Sequence, residues 1–263
     1  MERLISLALI AVFALFGIVT STTECDLPPS LWCSTPETAK RCKVLDQCKD
    51  YQTEKRDAKL VNVTLYHESL CPDCIDFITT SLWKAFTKVS DIFTITMVPY
   101  GNAMEKKEAN KYKFFCQHGE AECVGNLIES CAIYVLKNER ASFNYSHCIA
   151  SYLNTQRRVD FPKAAKKCAN EQSINYDQID ACANGQLGNQ LEHQMAVRTR
   201  ALNPSHNYVP WVTINGVHTE ALQNQTETDL IKVVCDTYQG PKPSACQEII
   251  HNTHSCRRLK SEL

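Results

Sequence analysis

The hydrophobic pattern that begins at Leu60 predicts a strand, a helix and a second strand in succession. Residues 60–66 alternate and are rich in β-branched side chains, which is typical of a strand. Over residues 74–86 apolar side chains recur at helical spacing, so we expect a helix that begins at or just before Cys74. Residues 92–98 form another apolar strand, closed by Pro99. This order predicts a βαβ unit with parallel strands and a right-handed crossover.

The following segment, residues 126–202, is predicted to be mostly helical. Its clearest helix covers residues 187–202, where apolar positions step at three to four residues. No internal repeat and no low-complexity block interrupts this region. The pattern therefore predicts a long helical insertion after the second strand.

The chain then returns to strand and helix patterns. Residues 208–214 are predicted to form a strand, and Asn215-Gly216 is a strong signal for a two-residue hairpin turn. A last helix is predicted over residues 226–238, with Thr226 or Thr228 as its cap. Together these elements indicate an α/β fold.

The first residues indicate export. A short charged start is followed by the apolar run 4–19 and by small polar residues at 20–23, which is the order found in a secretory signal peptide. The alternative is a membrane anchor, but a spanning helix needs about 20 apolar residues. We therefore predict a signal peptide at residues 1–22, no integral membrane segment, and a secreted or lysosomal/endosomal lumenal protein.

The cysteine content supports export, and the net charge does not favour nucleic acid as a partner. The chain has 15 cysteines, which in an exported protein indicate a disulfide framework. Its formal net charge of −1 gives no general attraction to nucleic acid. Three N-x-S/T sequons, at Asn62, Asn144 and Asn224, are candidate glycosylation sites.

Four cysteines crowd into a short stretch after the signal peptide. Cys25, Cys33, Cys42 and Cys48 follow the spacing Cys-x7-Cys-x8-Cys-x5-Cys, with Trp32 before the second cysteine. This segment resembles a saposin A-type domain, and the alternative is an unrelated four-cysteine module with two bridges. We predict a cysteine-rich module at residues 23–55, joined by a charged linker to a domain at 58–240, with a tail at 241–263.

The candidate chemistry is the motif Cys71-Pro72-Asp73-Cys74 between the first predicted strand and helix. Two cysteines at a helix start can close a small disulfide ring and reopen it, and free N–H groups there favour a thiolate. Cys71 is the outer residue and is predicted to be the nucleophile, with Cys74 as the resolving thiol. Pro72 suits a first helical turn because its missing N–H would be unpaired there.

Two alternatives to a redox pair remain. A zinc site would need further ligands, for which the segment Cys116-Gln117-His118 and Cys123 are candidates, but an oxidising lumen favours disulfides. Cys71 and Cys74 would otherwise be structural cysteines that bridge elsewhere. The strand–CxxC–helix order and the later Val-Pro strand favour the redox pair, and no metal is predicted.

Val209-Pro210 is the second candidate element. Thioredoxin-like folds place a cis-proline at the start of a later strand, packed against the redox disulfide. A trans bond is the commoner state for any X-Pro pair, so the prediction of a cis bond depends on the CxxC motif. Val209 and Pro210 are accordingly predicted to bind substrate by strand addition.

The sharpest resemblance lies in residues 116–131. The order C-Q-H-G-x2-E-C-x2-N-x4-C is present at every fixed position, from Cys116 and His118 to Glu122, Asn126 and Cys131. It is the signature of the gamma-interferon-inducible lysosomal thiol reductase (GILT) family. Four further segments also resemble that family: residues 61–66 before the CxxC motif, 98–103, 208–212 and 235–240. The resemblance therefore extends from Leu60 to about Cys256.

The resemblance implies a thioredoxin-like fold with a helical insertion and reduction of protein disulfides in an acidic lumen. It implies no organic cofactor, a small thiol as reductant, and redox roles for Cys71 and Cys74. Pro72 and Asp73 replace the small residues of many members, which leaves redox potential and substrate preference open. Cys116, Cys123 and Cys131 are expected in framework disulfides, and His118 and His193 are expected to be structural.

Other functions on the same scaffold stay open at this point. An oxidase or isomerase would share the motif, because direction depends on redox potential. A non-catalytic secreted binding or defence protein would use the fold as a disulfide-stapled surface. Nine cysteines outside the module and the CxxC motif cannot all pair within one chain, so a free thiol such as Cys256 or a disulfide-linked homodimer is predicted.

Overall fold

A computed structural model describes residues 32–49, 58–155 and 160–247. The predicted signal peptide, Cys25 and Cys256 lie outside these ranges. The chain divides into two compact units, Met1–Glu54 and Lys55–Leu263.

The first unit contains a short helix, α1 (Pro36–Arg41). The Thr35 side chain caps it by accepting a hydrogen bond from the Thr38 N–H, and Pro36 occupies its first turn. A disulfide joins Cys33 to Cys48. A crosslink within the segment stabilises a unit whose apolar core is small.

A three-stranded sheet organises the second unit. Strands β1 (Val61–His67) and β2 (Phe93–Pro99) pair in parallel, from Val61 opposite Phe93 to His67 opposite Pro99. The parallel βαβ pairing predicted from the hydrophobic pattern is therefore confirmed. A later strand, β5 (Trp211–Ile214), pairs antiparallel with the other edge of β1, so the order is β2-β1-β5.

The connection between β1 and β2 is a helical segment that is interrupted by one π-helical turn. It consists of α2 (Pro72–Phe77), a π-helical turn (Ile78–Leu82) and α3 (Trp83–Val89). Its buried face, including Phe77, Leu82 and Ala85, packs in one cluster with the inward side chains of the sheet and of the last helix, α9 (Glu220–Thr237). Burial of this face holds the helix start at the end of β1.

The predicted helical insertion is present and has its own core. It contains α4 (Glu120–Leu136), α5 (Glu139–Asn154), α6 (Phe161–Glu171), α7 (Tyr176–Ala183) and α8 (Gln186–Arg200). Buried residues such as Tyr145, Phe161 and Ile179 form a second apolar cluster between these helices. Disulfides Cys131–Cys182 and Cys148–Cys168 crosslink the insertion.

Three details differ from the sequence prediction. An antiparallel hairpin, β3 (Met104–Glu108) and β4 (Lys111–Phe115), was not predicted, because its residues are mostly charged and half-exposed. The strand predicted at 208–214 begins only at Trp211. The Asn215-Gly216 turn has positive φ at both residues, but a single bridge, Ile214 to Val217, follows it.

The predicted cap of the last helix, Thr226 or Thr228, was wrong. The helical segment begins at Glu220, where the Thr219 side chain accepts from the Leu222 N–H. It kinks at Asp229, whose side chain accepts from the Lys232 N–H, so a second helical part begins close to the predicted start at residue 226. Residues 220–228 are mostly polar, so their sequence carries little helical periodicity. The cap, rather than an apolar stripe, sets where this helix begins.

Together these elements confirm an α/β thioredoxin-like fold with a helical insertion, in which the CxxC motif lies at the β1–α2 junction. In the part of the chain that the structure describes, every helix is too short or too polar to cross a membrane.

Candidate active site

Cys71 occupies the cap position of α2, directly after β1. Its sulfur accepts a hydrogen bond from the Cys74 N–H at 3.2 Å, as a side-chain cap does. Cys71 and Cys74 are the free cysteines among the described residues. Both residues are buried, Cys71 with 5% of its surface exposed and Cys74 with none.

The two thiols have opposite electrostatic surroundings. A hydrogen bond from the Cys74 side chain lowers the pKa of Cys71, outweighing burial and the charges of Glu68 and Asp73, which raise it. Burial is the largest influence on Cys74, and it raises the pKa of that thiol, as does its contact with Cys71. Cys71 is therefore the thiol that ionises first, and Cys74 stays protonated.

The Val209–Pro210 segment lies against the outer sulfur. The Val209 carbonyl oxygen is 3.8 Å from Cys71 Sγ and accepts its weak hydrogen bond. The Val209–Pro210 bond is cis, as predicted, and Asn203–Pro204 is cis as well. The sequence thus correctly predicts that the Val209-Pro210 segment lies next to the CxxC motif.

Buried Gln223 of α9 fixes this segment. Its Nε2 donates to the Pro210 carbonyl at 3.0 Å, and its Oε1 accepts from the Val212 N–H at 2.9 Å. The same Nε2 also donates to Glu227 Oε1 at 2.7 Å. Sequence reasoning missed Gln223, because its polar helix carries no motif.

A groove of about 420 Å³ opens beside Val209. Its lining residues come from the helical segment after Cys71, from the segment before β5 and from α9: Asp73, Asp76, Phe77, Thr80, Tyr208, Val209, Pro210 and Glu227. Val209 connects this groove to the CxxC motif, because its carbonyl oxygen is 3.8 Å from Cys71 Sγ.

The signature residues form the other wall of the site. A disulfide joins Cys116 to Cys123 and closes a loop that carries His118. The His118 Nδ1 lies 2.6 Å from Glu122 Oε2 and 3.3 Å from Glu68 Oε2, and the His118 N–H donates to Glu122 Oε1 at 3.0 Å. Two carboxylates, Glu68 and Glu122, thus converge on one imidazole nitrogen.

Further hydrogen bonds attach the signature segment to the turn before Cys71. Asn126 Oδ1 accepts from the Ser69 N–H at 2.9 Å, and the Ser69 hydroxyl donates to the Glu122 carbonyl at 3.0 Å. Gly125 approaches closely enough that an added Cβ would lie 2.3 Å from Ser69 Oγ. The signature residue Asn126 holds α4 against the turn after β1, and the neighbouring Gly125 allows the close approach.

Glu68 is fixed from the β2–β3 loop. Its Oε1 accepts from the Asn102 N–H at 2.7 Å. Gly101 has φ +56°, and a Cβ there would lie 2.5 Å from Glu68 Cγ, so a side chain would strain the backbone and displace the carboxyl. The Asn102 amide donates to Gln117 Oε1 at 2.9 Å, which connects this loop to the signature loop.

The candidate zinc ligands do not assemble. Cys116 and Cys123 are joined to each other, so neither offers a thiolate to a metal. Glu68, His118 and Glu122 bring three possible ligand atoms close together, with His118 Nδ1 hydrogen-bonded to Glu122 Oε2 at 2.6 Å. Cys148 and Cys168, near Glu171, are likewise joined in a disulfide.

The expected framework role of three signature cysteines is confirmed. Cys116 pairs with Cys123, and Cys131 pairs with Cys182. His193 contacts Glu105 at 2.9 Å and stacks on Tyr112 with ring centroids 3.8 Å apart, which is a structural environment. His118 contacts Glu68, three residues before Cys71, which its sequence position, far from the CxxC motif, did not predict.

Chemically, the arrangement provides a thiol–disulfide exchange site. It contains an outer thiol with a lowered pKa, an inner thiol within reach of the first, and an open groove against a fixed backbone strand. A mixed disulfide on Cys71 would lie next to Cys74, which is the geometry that exchange requires.

The sequence matches two family models. Residues 62–172 match the model described as gamma interferon inducible lysosomal thiol reductase (GILT), and residues 22–52 match the saposin A-type domain. The chain is 42% identical over 225 residues to the gamma-interferon-inducible lysosomal thiol reductase of Carassius auratus, covering 85% of this chain and 84% of that protein. It is 36% identical to the protein of that name from Mus musculus, covering 84% and 85%.

Solved structures with a related backbone are more distant. Oxidised BdbD from Bacillus subtilis is 13% identical, with a TM-score of 0.47 over 65% of this chain and 87% of that one. DsbA from Chlamydia trachomatis is 16% identical, with a TM-score of 0.46 over the same shares, 65% and 87%.

Proposed function

Since this chain belongs to the gamma-interferon-inducible lysosomal thiol reductase family, and is therefore a thiol-disulfide oxidoreductase, we propose that it reduces disulfides of protein substrates with Cys71 and Cys74. The observation that carries the proposal is the asymmetry of the two sulfurs. The Cys71 thiol has a lowered pKa, whereas the Cys74 thiol, which has no exposed surface, has a raised one.

The reaction has two exchange steps. The Cys71 thiolate attacks a substrate disulfide, forms a mixed disulfide and releases one substrate thiol. Cys74 then loses its proton and attacks Cys71 Sγ, which breaks the mixed disulfide and releases the second substrate thiol. Val209 and Pro210 hold the substrate backbone in the groove during both steps, and a small lumenal thiol reduces the Cys71–Cys74 disulfide afterwards.

Single cysteine variants test the division of labour. Cys74→Ser should accumulate a stable mixed disulfide with a disulfide-bonded substrate such as denatured, non-reduced immunoglobulin, because nothing resolves it. Cys71→Ser should capture no substrate. Mass spectrometry of the trapped species under non-reducing conditions checks this expectation. Equal trapping by both variants, or reductase activity in Cys71→Ser, would contradict it.

We also propose an acidic endosomal or lysosomal lumen as the working compartment. The predicted signal peptide supports export, and the names of the relatives describe lysosomal proteins. The three sequons, at Asn62, Asn144 and Asn224, remain predicted glycosylation sites. Asn224 is exposed, whereas the Asn62 side-chain amide donates to Thr94 and Thr96, so occupancy should be highest at Asn224.

The disulfides of the second unit bear on whether one cysteine could form a disulfide between two chains. Of the nine cysteines outside the module and the CxxC motif, eight pair among themselves: Cys116–Cys123, Cys131–Cys182, Cys148–Cys168 and Cys235–Cys246. The ninth is Cys256. We propose that it forms a disulfide-linked homodimer, which should be lost in Cys256→Ser on non-reducing electrophoresis.

A further inference from the structure

Three side chains with metal-ligating atoms meet at one point beside the signature loop. His118 Nδ1 lies 2.6 Å from Glu122 Oε2 and 3.3 Å from Glu68 Oε2, and the three atoms all lie within 4.8 Å of one another. Both glutamates are fully buried, whereas the His118 side chain is 33% exposed. The cluster therefore consists of two buried carboxylates and one imidazole that is partly exposed to solvent.

The backbone holds both carboxylates with one oxygen turned toward the imidazole. Glu68 Oε1 accepts from the Asn102 N–H at 2.7 Å, and Glu122 Oε1 accepts from the His118 N–H at 3.0 Å. The other oxygen of each carboxylate, Oε2, lies next to His118 Nδ1. Outer hydrogen bonds of this kind orient the carboxylate ligands of metal sites. The site is thus preorganised without any ion.

One oxygen of this cluster lacks a hydrogen-bond donor. Among the described residues, Glu68 Oε2 is buried and accepts no hydrogen bond, since the shorter contact of His118 Nδ1 is with Glu122. Buried charges in proteins are paired or coordinate metals. The single proton of an imidazole nitrogen serves one carboxylate, whereas one divalent cation contacts both and balances both charges.

A second histidine–glutamate pair shows the satisfied arrangement. His193 Nδ1 lies 2.9 Å from Glu105, and Arg200 Nη1 lies 2.7 Å from the same carboxylate. There one carboxylate has an imidazole and a guanidinium as partners. Among the described residues, neither Glu68 nor Glu122 has a lysine or arginine within ion-pair distance. A cation is therefore missing at the first cluster and present at the second.

We propose that Glu68, His118 and Glu122 form a binding site for one divalent transition-metal ion such as zinc, with His118 Nδ1 and the two Oε2 atoms as ligands. Such ions accept imidazole nitrogen together with carboxylate oxygen. Ligands at zinc distances in a tetrahedral site are about 3.3 Å apart, which matches the separation of His118 Nδ1 from Glu68 Oε2. Glu122 Oε2 retreats by under about 1 Å as the ion replaces the proton on His118 Nδ1, and that proton passes to water.

This ligand set differs from the zinc site considered from the sequence. The disulfide between Cys116 and Cys123 removes both thiolates, and two carboxylates take their place around His118. A bound ion joins the signature loop and the first turn of α4 to the residue three positions before Cys71. The site uses neither cysteine of the CxxC motif, so it does not depend on the proposed reduction of disulfides.

Zinc binding is measured on the oxidised full-length protein, because the thiolates of a reduced CxxC motif also bind zinc. A thiol assay first verifies that the motif is oxidised. Calorimetric titration with Zn²⁺ near neutral pH, where the ligands can lose their protons, should show one ion per chain that depends on the residues of the cluster. Co²⁺ should give a visible d–d absorption that added Zn²⁺ abolishes. A wild-type protein that binds neither ion would overturn the proposal.

Two matched variants locate the ion. His118→Phe removes a ligand atom and should weaken zinc binding by at least about tenfold, since even the loss of an outer-shell partner costs a metal site about 10–100-fold in affinity. His193→Phe keeps a ring on Tyr112 and should bind zinc as the wild type does. Unchanged binding in His118→Phe, or equal loss in His193→Phe, would overturn the site.

A carboxylate variant and thermal unfolding complete the test. Glu122→Gln should also weaken zinc binding, and His118→Phe decides the question if Glu122→Gln does not fold. Zinc should raise the Tm of the wild type and of His193→Phe but not that of His118→Phe, because an ion that binds only the folded state stabilises it. An equal rise in Tm for all three proteins would place the ion elsewhere and overturn the proposal.

Discussion

At the scale of single residues, the CxxC pair works because two chemically identical thiols have different partners. The Cys71 sulfur receives hydrogen bonds from the Cys74 side chain and N–H, whereas Cys74 lies fully buried beneath it. Hydrogen bonds to the charged form favour a thiolate, and burial disfavours one. The lowered pKa of Cys71 and the raised pKa of Cys74 support the proposal that Cys71 attacks first and Cys74 second.

The lowered pKa of Cys71 predicts reactivity in acid. A lowered pKa keeps thiolate present at a pH where free cysteine, with a pKa of about 8.5, is almost wholly protonated. We expect Cys71 to react with iodoacetamide at about pH 5 faster than free cysteine, because a lowered pKa leaves a larger fraction of the sulfur as thiolate.

The largest cause of that lowered pKa supplies the control. Cys74→Ala removes the side-chain hydrogen bond to Cys71 and should raise the pKa of Cys71, which slows alkylation in acid. Peptide-resolved alkylation rates measured over a pH series check both expectations. A Cys71 that alkylates no faster than free cysteine would show that its environment does not stabilise the thiolate.

At the scale of elements, the site depends on crosslinks between segments that are distant in sequence. Cys131–Cys182 joins α4 to α7 across 51 residues, whereas Cys116–Cys123 closes a loop of 7 residues around His118. The chain-entropy view of disulfides assigns a larger stabilisation to the longer loop. The short loop instead fixes the position of one side chain, His118, which contacts Glu68.

This difference predicts two separable phenotypes. The double variant Cys131→Ala/Cys182→Ala should lower the free energy of unfolding by about 4 kcal/mol, and Cys116→Ala/Cys123→Ala by about 2 kcal/mol. The second variant should lose more zinc affinity than the first, because it releases His118. Urea unfolding and zinc titration measure the two effects. A larger stability loss from the short loop would contradict this assignment.

At the scale of the whole molecule, the chain combines a disulfide-bonded saposin A-type segment with a thioredoxin-like unit. Cys33 and Cys48 pair within the first unit, and the CxxC motif and the signature residues lie in the second. Domains that contain their own crosslinks and are joined by charged linkers usually fold independently. We propose that the amino-terminal module is separable from the reductase domain.

Removal of residues 1–55, with a replacement signal peptide, tests that separation. The truncated protein should keep its reductase rate within about twofold and unfold in a single transition. Peptide mapping of the non-reduced full chain provides the control, since crosslinks from Cys25–Cys48 to the second unit would move the boundary. A truncated protein that does not fold would also show that the boundary between the module and the reductase domain is wrong.

The sequence alone determined the features that arise from neighbouring residues. The alternation of residues 60–66, the helical spacing after Cys74 and the second apolar strand predicted the parallel βαβ unit, because such periods depend on which face of an element is buried. The position of the CxxC motif at the strand–helix junction predicted the redox pair, and the signature around Cys116 indicated the family, because both are patterns of neighbouring residues.

Tertiary structure decided what depends on contacts between remote segments. Glu68 and His118 are 50 positions apart, and Gln223 reaches Pro210 from a polar helix that carries no motif. The charged β3–β4 hairpin and the Thr219 cap were likewise missed, because neither depends on a buried apolar face. Hydrogen bonds of this kind produce no periodic pattern in the sequence, because the two partners come within bonding distance only when the backbone has folded.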